Sequence, residues 1–177
     1  MIRQVIDDIN DYMNYSFKDV HFGVVYPVLN KTQKIPGSRD GNQYKDAIPN
    51  SSKQSILYWE DYGTTTLLSA PRYSRVESNV RIVMWFNFKK LEEGKTYDEC
   101  VREVLNSLPK RVGNKIHIFL RGQQPKTEAI FARYDYKEAK QYVAPPYDVA
   151  AFDFAIRYML PYCPVVKKGT QTPTPTT

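Results

Sequence analysis

Histidine and cysteine are scarce in this chain of 177 residues, with two of each: His21, His117, Cys100 and Cys163. Two cysteines make no disulfide framework, and a reducing compartment suits them. Two cysteines and two histidines on distant segments give no zinc spacing, so no bound metal is expected. Glycine is sparse as well, at eight residues, and none are grouped as a strand-to-helix phosphate cradle. Nucleotide-driven chemistry is therefore not expected. No serine stands in a Gly-x-Ser-x-Gly elbow, Cys100 falls on the apolar side of a predicted helix, and both histidines lie within strand patterns. The nucleophile, base and orienting group of acyl transfer are not assembled. The expectation is a protein that is not an enzyme and uses no cofactor.

Long apolar runs are missing too. Charge interrupts every hydrophobic stretch, so none can cross a bilayer. Asp7, Asp8 and Asp11 stand where a secretion signal needs an apolar core, so no signal peptide is read.

What the chain does have is aromatic and cationic. Hydrophobic residues make up 42% and aromatics 14%, with 14 tyrosines, enough for one substantial core. The formal net charge of +6 is uneven. Lys110, Arg111, Lys115, Arg121, Lys126, Arg133, Lys137 and Lys140 face only Glu128, Asp135 and Glu138 in the same stretch. A surface of that kind attracts nucleic acid or an acidic protein face; its plain alternative is a solubilising surface.

Periodicity places the elements. Ile2, Val5, Ile6, Ile9, Tyr12 and Met13 recur at helical spacing. Residues 20–26 are β-rich, and Pro27 is expected to close that strand. Residues 30–55 turn polar and carry the turn signals Pro36-Gly37 and Asp40-Gly41, which predicts a projecting loop. Residues 56–60 read as a strand and Asp61-Tyr62-Gly63 as a turn, with the β-prone residues 64–69 extending or pairing with it. Val76, Ser78, Val80, Ile82, Met84, Phe86 and Phe88 alternate along one face of a long strand, and Val83 and Trp85 make its middle apolar on both faces. Thr96-Tyr97-Asp98-Glu99 is a capping box opening a helix that should stop before Pro109. A strand over 116–120 follows. Residues 127–141 allow either a short helix or an irregular return, and 149–160 read as a long final strand.

The expected fold is α+β: a mainly antiparallel β-sheet with two amphipathic helices packed on one face. It forms a single domain over 1–164, followed by a flexible Thr/Pro tail over 165–177. The candidate interface combines loop cations and loop tyrosines: Lys34, Arg39, Tyr44, Lys45, Tyr62, Arg121, Lys126, Arg133, Tyr136, Lys137, Tyr142 and Tyr147. Tyrosine gives contact area at low entropic cost. Two alternatives stay open, a basic nucleic-acid-binding module and, more remotely, a metal-dependent nuclease. The nuclease would use Glu138 with Lys140, or Glu93 with Lys95, completed by Asp135, Asp148 or Asp153.

The element order resembles that of the tail-terminator and head–tail neck-ring proteins of tailed bacteriophages. The resemblance rests on the opening helix 1–9, the Val80–Asn87 strand followed by the Thr96 helix, and the closing strand from Asp148 to Phe154. It covers about residues 1–160 and involves no diagnostic motif. It implies a virion structural protein, made in the host cytoplasm, that assembles as a homo-oligomeric ring against head or tail proteins. Non-specific contact with DNA is compatible with it, and it transfers no catalytic residue.

Overall fold

A computed structural model describes residues 1–14, 21–31, 33–40, 43–91, 94–124, 127–134 and 143–161. Their architecture is mixed, with one eight-stranded sheet in the order β3-β2-β1-β4-β5-β8-β7-β6. The strands are β1 (His21–Asn30), β2 (Gln33–Asp40), β3 (Gln43–Asp46), β4 (Ser55–Ala70), β5 (Tyr73–Asn87), β6 (Arg111–Val112), β7 (Ile116–Gln123) and β8 (Tyr147–Leu160). The helices are α1 (Ile2–Asn10), α2 (Tyr97–Ser107) and the four-residue α3 (Thr127–Ile130). Every ladder is antiparallel except β1–β4. No helix among the described residues is long and apolar enough to cross a membrane.

The capping box forms as the sequence predicts. Glu99 N donates to Thr96 Oγ1 at 3.4 Å, and Thr96 N donates to Glu99 Oε2 at 2.8 Å. The helix ends because Leu108, next to Pro109, is extended at φ −69°, ψ 121°, as a residue before proline must be.

Three expectations are corrected. The segment 30–55 is not a projecting loop: it supplies β2 and β3, whose ladders run to Asn30↔Gln33 and Asp40↔Gln43. Pro36-Gly37 is strand, not turn. Gly37 is needed there because a Cβ would collide with the stiff Val28 side chain of β1. Nor does Pro27 close β1, which continues to Asn30. Pro27 pairs with Pro36, whose carbonyl points the other way to accept from Ala47 N at 2.8 Å. Two prolines facing each other across a non-hydrogen-bonded position cost that ladder no donor. Finally, Asp61-Tyr62-Gly63 is a bulge within a 16-residue strand. Gly63 adopts φ +110°, and its N–H donates to Asp61 Oδ1 at 2.8 Å, so the strand bends and goes on.

Two apolar clusters flank the sheet. The first joins Ile2, Val5, Ile6 and Ile9 of α1 and Cys100, Val101 and Val104 of α2 to Trp59, Val80, Ile82, Met84, Phe152 and Phe154. The second joins Ile130, Phe131 and Tyr134 to Ile35, Ile56, Tyr58, Val83, Trp85 and Ala151. Val83 and Trp85 are fully buried, as are Ile82 and Met84 on the opposite parity, so the middle of β5 is covered on both faces. Residues 162–177, including Cys163 and the expected tail, lie outside the described residues.

Candidate functional site

Past the middle of the sheet, β4 leaves β1. The last pair between them is Val25↔Glu60, whereas β4 stays paired with β5 to Ala70↔Tyr73, and β8 follows β5 to Ser74↔Leu160. The result is a ribbon of β4, β5 and β8 whose β4 edge, from Thr64 to Ala70, has no strand partner among the described residues. Residues 62–69 are exposed, with Leu67 at 46% and Leu68 at 47%. No charge and no proline occurs between Tyr62 and Ala70, although edge strands that stay solitary usually carry such residues.

At the root of the ribbon a polar network is built around Glu60, which is fully buried. Its carboxylate accepts from Tyr134 Oη at 2.6 Å and from Tyr62 Oη at 2.7 Å. Tyr62 Oη accepts in turn from Arg81 Nη1 at 3.0 Å. Arg81 forks onto Asp153, with Nε–Oδ1 at 2.7 Å and Nη2–Oδ2 at 3.2 Å. The register places these residues together, because Arg81 pairs with Glu60 on one side and Asp153 on the other. Both Arg81 and Arg133 approach the Tyr62 ring, at 4.9 and 4.7 Å from its centroid. Arg133 Nη1 also donates to the Asp61 carbonyl at 3.2 Å, the carbonyl just beyond the end of the β1 ladder.

Burial, with the Glu60 carboxylate beside it, pushes the Tyr62 phenol up to about 12, and the same causes raise Tyr134. A phenol that titrates higher in the folded than in the unfolded chain stabilises the fold below its ordinary value, and that contribution is lost as pH rises through the folded value. The protein is therefore expected to lose stability progressively between pH 10 and about 12. Phenolate absorbance should show Tyr62 titrating well above the ordinary tyrosine range, and Tyr62→Phe should remove part of this alkaline limb.

The predicted interface residues separate into three groups. Tyr62, Arg121 and Arg133 come to the ribbon, where Tyr62 and Arg121 border one shallow depression with Arg81 and Asp153, and Arg121 pairs with Glu77 at 3.1 Å. Lys34, Arg39, Tyr44 and Lys45 are exposed on the β2–β3 hairpin at the sheet's edge, with Arg39 opposite Tyr44. Tyr147 instead stacks on Trp85 at 5.3 Å and packs against the second cluster. Lys126, Tyr136, Lys137 and Tyr142 lie outside the described residues. Sequence reasoning missed Glu60, Arg81 and Tyr134 and gave Asp153 a different role, as a metal-site carboxylate; for the three charged residues the available signal was charge inside strands otherwise rich in apolar residues.

Of the nuclease candidates, Glu93, Asp135, Glu138 and Lys140 lie outside the described residues. Lys95 pairs with Glu103 at 3.0 Å, and Asp153 is held by Arg81. Among the described residues no group of three or more His, Cys, Asp or Glu could hold a metal ion. No family model, curated protein or solved structure matches the chain.

Proposed function

We propose that this protein is a structural subunit that works by assembling with other protein chains, and that its place is a ring at the head–tail connection of a tailed bacteriophage. On this reading it is made in the host cytoplasm and ends in the virion, neither acting as an enzyme nor using a cofactor. Helices α1 and α2 share one apolar cluster, which supports the expected arrangement of both long helices on one face and leaves the strand edges for partners.

The observation that carries the reading is the open β4 edge. Six consecutive residues, Thr64–Ser69, present outward backbone groups and two exposed leucines without a gatekeeping charge or proline. An edge of that kind is satisfied by a strand or loop from a neighbouring subunit. Closed rings use such head-to-tail contacts, in which one surface meets a different surface on the next copy.

Mass photometry of the purified chain, alone and with candidate head or tail proteins, should show discrete oligomers. Leu67→Lys with Leu68→Lys should weaken assembly at least tenfold, or about 1.4 kcal/mol, while the circular dichroism spectrum stays unchanged. A wild-type chain that remains monomeric and joins no assembly under any of these conditions overturns the proposal.

A further inference from the structure

The opposite margin of the ribbon carries a second feature. An open groove of about 300 Å³ lies between the ends of β5, β7 and β8 and is bordered by Arg75, Asn114, Lys115, His117, Phe119 and Arg157. Its volume is at the lower end of the range of ligand sites, about 300–1,000 Å³. No carboxylate borders it among the described residues. The register explains the convergence. His117 pairs with Arg157, which pairs with Glu77, while Arg75 pairs with Met159 on the adjoining position of β8. Lys115 and Asn114 enter from the turn between β6 and β7.

The cations are held in different ways. Arg157 is fixed: its Nε donates to Glu77 Oε2 at 2.6 Å, and its guanidinium carbon lies 4.8 Å from the centre of the Phe119 ring. Its terminal nitrogens make no hydrogen bond among the described residues, which leaves them to an incoming acceptor. Arg75 is exposed and makes no ion pair among the described residues. Glu77 is shared between Arg157 and Arg121, so one carboxylate balances two guanidinium groups and the margin stays cationic. Beside the cations stand two aromatic rings. The rings of His117 and Phe119 are tilted by only 10°, with centroids 6.5 Å apart, and Phe119 is 40% exposed.

We infer that this groove binds single-stranded nucleic acid, with backbone phosphates on Arg75, Lys115 and Arg157 and a base against the exposed Phe119 ring. A cationic groove alone would accept any polyanion, an acidic protein segment included. The adjacent exposed Phe119 ring, with the half-buried His117 beside it, is what a nucleobase uses, since every base has a face to stack. Phosphate contacts fix affinity and its salt dependence, and stacking adds to them without reading sequence. This surface is separate from the β4 edge and does not depend on the assembly proposal.

Fluorescence anisotropy of the full chain with labelled oligothymidylate, at salt rising from about 50 mM, tests the inference. Binding should weaken with salt, and Arg75→Glu with Lys115→Glu should lower affinity at least tenfold and flatten the salt slope by about 0.7 for each phosphate no longer neutralised. Phe119→Leu should weaken oligothymidylate binding several-fold but leave inorganic polyphosphate binding unchanged. The exposed charge reversals keep the test open if Arg157 variants fold poorly. Absence of oligothymidylate binding at the lowest salt, or binding insensitive to the charge reversals, overturns the inference. Equal sensitivity of both ligands to Phe119→Leu, or of neither, overturns the assignment to nucleic acid.

Discussion

Trp59→Ala is expected to lower the free energy of unfolding by about 3–5 kcal/mol, moving the thermal midpoint by about 10 °C. Trp59 is completely buried in β4. Its ring lies 6.0 Å from that of Phe154 on β8, and its Nε1 donates to Asn10 Oδ1 at 2.9 Å at the last residue of α1. One side chain therefore ties the first helix to two strands. Alanine would leave a cavity between the sheet and α1, around which the packed surroundings relax only partially, and would strand the Asn10 amide oxygen. Trp59→Phe separates the two effects: it keeps most of the volume and should cost only about 1–2 kcal/mol, chiefly the lost hydrogen bond. Urea unfolding followed by circular dichroism reads both. The chain has two tryptophans, so Trp85 emission in the Trp59→Ala protein reports on the second cluster alone. A loss below about 1 kcal/mol for alanine would mean that α1 is not anchored to the sheet in this way.

Arg81→Met should be the next most costly change, at about 2–4 kcal/mol. Removing one partner of a buried ion pair leaves the others uncompensated. Here Asp153 loses a bidentate guanidinium, Tyr62 loses a donor, and the buried Glu60 loses a cation of its network. The value lies below the upper limit for buried pairs because the Asp153 side chain is 41% exposed and regains water. The phenol supplies a second readout that mere loss of packing would not move. Arg81 lowers the Tyr62 pKa from where burial and Glu60 would set it, so Arg81→Met should shift the alkaline transition of Tyr62 upward. An unmoved transition would show that Arg81 does not act on Tyr62.

The difference between what was legible and what was hidden follows from the range of the interactions involved. The capping box at Thr96 and Glu99 spans four consecutive residues, so its chemistry can be read directly from them. The alternation from Val76 to Phe88 is likewise local, as is the double-sided burial implied by Val83 and Trp85. Residues 30–55 misled because β3 is exposed throughout and the four buried residues of β2, Ile35 to Ser38, include only one large apolar side chain. Ile35 and Ala47 are fully enclosed, but most of the rest is polar, and their strand state comes from backbone pairing with β1. Turn signals mark where the backbone can bend. At Pro36-Gly37 the same residues serve a close approach between strands instead.

The predicted interface residues divide along the same line. Loop tyrosines and cations were recognisable as a class, and Tyr62, Arg121 and Arg133 do meet on the ribbon. Tyr147 has the same composition signal and lies on Trp85. Residue type cannot distinguish a tyrosine that packs inward from one that faces outward; the register of β8 against β5 does.

By itself, then, the sequence determined the strand alternation, the two amphipathic helices and the stop before Pro109, all of which follow from spacing. Tertiary structure alone decided that β4 runs on past Gly63 as an open edge, that Glu60 is buried beneath two phenols and beside Arg81, and that Arg75, Lys115 and Arg157 converge on one groove. These depend on which strand lies beside which. Pairing across tens of residues is settled by backbone hydrogen bonds and shared burial, which a local pattern cannot encode.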